Sequence, residues 1–106
     1  MAKQTDIRQI VRKFHERLEK VLGAQVQVIL YGSHARGEAK EDSDIDVLVI
    51  VPKLDPQTDA TISDIAWEVS FESGVVISVV PVAQDELPLL KASPFFQTVQ
   101  REGIKL

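Results

Sequence analysis

Asp44 and Asp46 stand one residue apart at the threshold of an apolar run, residues 47–51, in the stretch YGSHARGEAKEDSDIDVLVIV. Like charges this close repel, and burial strengthens the repulsion. Such a pair is tolerated in water, or with a cation between the carboxylates. On a strand, residues two apart point to the same face. Two carboxylates so placed suit a hard cation such as Mg²⁺, which is commonly held by one or two carboxylates plus substrate phosphates. Separated from Asp44 by ten residues, Gly32-Ser33 follows a strand-like segment. Glycine lets main chain approach a bulky anion, and serine adds a hydroxyl donor. Arg36 lies three residues beyond Ser33, on the same side of a helical turn if one starts there, and could pair with a phosphate. Phosphate donors beside metal ligands are the minimum set for phosphoryl or nucleotidyl transfer.

The elements that must position these residues can be read from periodicity. Ile7, Ile10, Val11, Phe14, Leu18, Val21 and Leu22 mark one face of a helix, with Thr5 or Asp6 as its cap and Gly23 as its end. Residues 24–31 read as a strand, and the polar segment from Gly32 to Ser43 as a loop or short helical turn. The continuous β-branched run IDVLVIV reads as a central strand covered on both faces. Asp55-Pro56 begins a second amphipathic helix that Gly74 ends. Residues 75–82 read as a third strand that, by Pro81, lies at an edge or stops there. Ser93-Pro94 starts a last short helix with Phe95, Phe96 and Val99 as its contacts. The expected architecture is therefore α/β (α+β): a small mixed sheet of at least three strands with helices packed on it, in one domain spanning residues 1–106.

Composition narrows the function. At 106 residues and 44% hydrophobic, the chain can build one modest core. A net charge of −4 argues against general nucleic-acid binding. Without cysteine there is neither a disulfide framework nor a thiolate metal site. No segment reads as a signal peptide or membrane span, so a cytoplasmic location is expected.

Gly32-Ser33, ten residues, then Asp44-Ile45-Asp46 resembles the signature of the DNA polymerase β-like nucleotidyltransferases, with their palm-like fold. More narrowly, GSHARGEAKEDSDIDVLV and the closing SPFFQTVQREGIKL resemble the minimal nucleotidyltransferases, antitoxin partners of HEPN-domain toxins. The resemblance implies ATP as substrate, Mg²⁺ as cofactor, and transfer of AMP to a hydroxyl of the partner toxin. Gly32 and Ser33 would contact the triphosphate with help from Arg36, and Asp44 and Asp46 would be the catalytic metal ligands. An assembly with itself or with the partner is compatible with this reading.

One departure stands out. The superfold supplies a third carboxylate from a later strand, but residues 75–83 contain no Asp or Glu, and Ser78 is the one polar side chain there. Glu38, Glu41, Asp42, Glu68 and Glu72 are the nearby substitutes. The departure keeps a rival in view, a nucleotide- or toxin-binding module without catalysis. Transfer to a small molecule such as an aminoglycoside ranks third, because so short a chain has little with which to enclose an acceptor. His15 is expected on the solvated side of the first helix. Trp67 is expected in the partial core or an interface, and Phe95 and Phe96 in the core.

Overall fold

A computed structural model describes residues 4–40 and 42–106. The chain runs α1 (Gln4–Leu22), β1 (Gln27–Tyr31), α2 (Ser33–Arg36), β2 (Ile45–Val51), α3 (Pro56–Ser73) and β3 (Ile77–Ala83). A 3₁₀ turn (Gln84–Glu86), α4 (Leu87–Leu90), α5 (Pro94–Glu102) and β4 (Ile104–Lys105) complete it. The sheet order is β3-β2-β1-β4; β2 and β3 are parallel, and the other pairs antiparallel. The expected mixed sheet with packed helices is observed, with β2 internal and the Pro81-bearing β3 at the edge.

Strand alternation divides β2 between two cores. Ile45, Val47, Val49 and Val51 pack with Val11, Phe14, Leu18, Ile62 and Val69, from the helices α1 and α3. Leu48 and Ile50 join Val82, Phe96 and Val99 on the opposite face, under α5. Burial on both faces is why this strand needs an unbroken apolar run.

The caps follow the sequence closely. Asp55 Oδ1 accepts from the Thr58 N–H at 2.7 Å, and Ser93 Oγ from the Phe96 N–H at 3.1 Å. Gly23 and Gly74 close α1 and α3, each with its N–H on the carbonyl four residues back. At the first helix the expectation shifts: α1 already includes Gln4, so Thr5 and Asp6 lie inside its first turn rather than capping it.

Ser70 ties α3 to β3. Its buried hydroxyl donates to the Ala66 carbonyl at 2.6 Å and accepts from the Ile77 N–H at 2.9 Å. In Ser70→Ala the Ile77 N–H is left in the core without this acceptor, which costs about 1–3 kcal/mol. Urea denaturation measures the loss, and an unchanged midpoint would refute this role for the hydroxyl.

Three side chains depart from expectation, and Trp67 lies outside the core. His15 is not solvated: its Nε2 lies 2.9 Å from the Val26 carbonyl, bridging α1 to the segment before β1. Val21, in the last turn of α1, is 62% exposed. Phe96 is buried as expected, but Phe95 is part-exposed and meets the Tyr31 ring edge to face at 5.4 Å. Trp67 is 70% exposed and Phe71 is 83% exposed, one turn apart on the outer side of α3. As the single tryptophan, Trp67 gives the isolated chain the red-shifted, acrylamide-quenchable emission of a hydrated indole. A blue-shifted, unquenched spectrum would show that side of α3 to be covered. No helix among the described residues is long and apolar enough to cross a membrane.

Candidate active site

The β1–β2 register places the expected residues together. Tyr31 pairs with Asp46, so the turn that leaves β1 at Gly32 passes directly over the first residues of β2. Asp46 shares its face with Leu48 and Ile50, the side on which α5 packs, and it stands where that cover ends. Gly32 adopts φ 78° and ψ −156°, a combination open essentially to glycine alone. A Cβ here would collide with Oδ2 of Asp46 and lie 3.2 Å from its Cγ. Gly32 is therefore the residue that lets main chain rest against the carboxylate. Ser33 opens α2, and Gly37, with φ 74°, ends it.

Asp46 is half-buried. Burial, and then the negative charge of Asp44, push its carboxyl above the ordinary aspartate range, against the opposing influence of His34 and Arg36. Burial, with the Asp46 charge as a smaller contribution, also raises the Tyr31 phenol. His34 Nε2 lies 2.9 Å from the Ser43 carbonyl and pins the loop across its own base. The frustration between Asp44 and Asp46 is thus present in the fold. A cation relieves it, and the donor set is right for Mg²⁺ in the company of phosphate oxygens.

Among the described residues, a third carboxylate does not join them as a metal group. Asp46 pairs in register with Ser78 on β3, which puts the serine at the position adjacent to Asp46 on the same face. Among the described residues, no three His, Asp or Glu side chains come together as a metal site. Glu38 accepts from Arg36 Nε at 2.6 Å, and Asp42 is exposed. Glu72 is clamped by Arg17 and Lys13, which draw its carboxyl down to about 2, and Glu68 lies 3.8 Å from Arg17. Glu41 lies outside the described residues.

Arg36 reaches the site with its charge already engaged. Besides Glu38, it holds both oxygens of Glu102, at 3.0 and 3.1 Å from Nη1. Glu102 also accepts from the Gly32 N–H at 3.4 Å. Sequence reasoning missed this residue because the contact spans 66 positions. One local signal existed: an acidic residue in the last turn of a helix, where the macrodipole favours cations. Tyr31, Gly32, Ser33, Arg36, Asp46, Pro94, Phe95, Thr98 and Glu102 line one open cleft of about 480 Å³. Its polar wall carries the candidate phosphate donors and Asp46, a candidate metal ligand, and its apolar wall is Tyr31 and Phe95.

Comparison with known proteins bears on the family and the fold. MJ1305 of Methanocaldococcus jannaschii, named as an inferred protein adenylyltransferase, is 34% identical over 89 residues, 80% of this chain and 60% of its own. The chain thus spans well under two thirds of that relative. A chain of a toxin–antitoxin crystal structure with AMP-PNP superposes with a TM-score of 0.60 at 18% identity, over 88% of this chain and 69% of that one. A chain from the tri-AMPylated Shewanella oneidensis HEPN toxin in complex with MNT antitoxin gives 0.55 at 16% identity, over 93% and 70%. These two likenesses show a shared fold. The family profile described as nucleotidyltransferase domain matches residues 7–100, and the chain belongs to that family.

Proposed function

We propose that the chain is a Mg²⁺-dependent adenylyltransferase that moves AMP from ATP to a hydroxyl of a protein partner, a HEPN-domain toxin, in the cytoplasm. The observation that carries this reading is the pairing of Tyr31 with Asp46, which sets Gly32-Ser33 against the acidic pair. Asp44 and Asp46 would hold the cation, which when bound supplies charge neutralisation at the phosphates. The Gly32 amide, the Ser33 hydroxyl and Arg36 bind and orient the polyphosphate. The acceptor hydroxyl gives its proton to solvent as its oxygen bonds to the α-phosphorus, the bond from that phosphorus to the oxygen bridging to the β-phosphorus breaks, and pyrophosphate leaves. Alignment and electrostatic preorganisation are the contributions such a small site can make. A partner is also supported by the exposed Trp67–Phe71 pair, apolar area that a protein surface could cover.

A second reading, binding without transfer, is favoured by one observation: Ser78 holds the place beside Asp46, and a serine hydroxyl is no base at neutral pH. Titration of ATP with and without Mg²⁺ into the wild type and Asp44→Asn/Asp46→Asn tests nucleotide binding. Incubation with the partner and mass measurement of the partner tests transfer. Toxin neutralisation that survives in the double variant, with no mass gain in either reaction, selects binding alone.

A further inference from the structure

We infer that Glu102 is a resident anion of the cleft: it holds the Gly32 N–H and Arg36 in the nucleotide-free protein and gives them up when a polyphosphate binds. The inference rests on the nucleotide reading above and assigns that site a residue that regulates its affinity. Three observations carry it. Glu102 engages two of the proposed phosphate donors at once, the main-chain amide at 3.4 Å and the guanidinium at 3.0 and 3.1 Å. Its side chain is only 14% exposed and lines the same cleft as Asp46 and Ser33. It also sits at the C-terminal end of α5, where the helix's own field disfavours a carboxylate. Its place is therefore set by the donors across the cleft and not by the needs of its helix.

Glu102 does not replace the missing third metal ligand in this arrangement. Among the described residues it does not come together with Asp44 and Asp46 as a metal-holding group. Arg36, in contrast, is flanked by Glu38 and Glu102, so a phosphate arriving at its guanidinium meets an occupied fork. Arg36 in turn holds the Glu102 carboxyl below the ordinary glutamate range, which keeps the plug ionised at neutral pH. Rotation about the glutamate side-chain torsions clears the fork without moving α5, and Gly103 then carries the chain into β4. A Cβ at Gly103 would collide with the Val99 carbonyl, so the chain leaves α5 packed closely on its last turn.

The test is calorimetric titration of Mg-ATP, and separately of tripolyphosphate, into the wild type, Glu102→Gln and Glu102→Asp. Glu102→Gln removes the competing charge and is expected to bind both ligands about tenfold more tightly, the equivalent of one charge-assisted contact no longer displaced. Glu102→Asp shortens the reach, keeps the charge, and should shift affinity in the same direction by less. If instead Glu102 merely positions Arg36, both variants bind more weakly than the wild type, and the inference is overturned with the nucleotide reading intact. Equal affinities overturn it as well. Binding by none of the three chains removes the nucleotide reading and the inference together. Should Glu102→Gln fail to fold by circular dichroism, the aspartate variant decides by the same signs.

Discussion

Asp46→Asn is expected to abolish Mg²⁺-dependent ATP binding and transfer while leaving the fold slightly more stable than the wild type. Functional loss paired with a stability gain is unusual, because most substitutions at half-buried positions destabilise. It follows from where Asp46 stands. Burial and the Asp44 charge raise its carboxyl above its unfolded value, so the proton is held more tightly in the folded chain. For a group shifted this way, stability is greatest while it is protonated and falls as pH rises through the folded value. At pH 7 the ionised Asp46 is thus a cost to the fold, and asparagine removes it at equal size. The gain should shrink as pH is lowered through that raised folded value, where Asp46 takes up its proton and becomes as neutral as the amide. Denaturant midpoints at several pH values measure this, beside calorimetry with Mg-ATP. Wild-type affinity in Asp46→Asn, or a midpoint gain that persists undiminished in acid, would contradict the assignment.

What the sequence disclosed of this arrangement, and what it hid, divides along sequence distance. The β2 strand was legible because burial on two faces leaves an unbroken apolar run. The α3 and α5 starts were legible because Asp55-Pro56 and Ser93-Pro94 act within three residues of themselves. The Gly32-Ser33 and Asp44–Asp46 pairs could be brought together on paper because one loop joins their strands. Glu102 could not, because helix periodicity says nothing about which residue 66 positions away its carboxylate will meet. The two-residue β4 is too short to leave an alternating pattern, and its pairing with Ile29 and Leu30 is fixed by where α5 stops. His15 was misread for a related reason: a histidine at a polar helix position is hydrated unless another segment arrives, and here residue 26 does. For Trp67, helix spacing alone left partial core and interface as alternatives, and the fold leaves it uncovered.

Gly32→Ala should lose binding as Asp46→Asn does, but with the opposite effect on stability. At φ 78° and ψ −156° a non-glycine residue pays about 1–3 kcal/mol in backbone strain alone. The added methyl also lands on the Asp46 carboxylate, against Oδ2 and 3.2 Å from Cγ. Asp46 has no main-chain retreat, because it is held in the ladder between Tyr31 on β1 and Ser78 on β3. Its side chain must rotate away, and with it goes the ligand that faces the cleft. Mg-ATP binding therefore falls below detection while the denaturation midpoint drops, and the loss exceeds that of Ser70→Ala. A double-mutant cycle separates the two causes. Gly32→Ala/Asp46→Ala removes the object of the collision and keeps the backbone strain, so it should cost less than the sum of the single changes. Strict additivity would mean that the methyl never met the carboxylate. The close approach of Gly32 to Asp46, on which the whole reading of the site depends, would then be wrong.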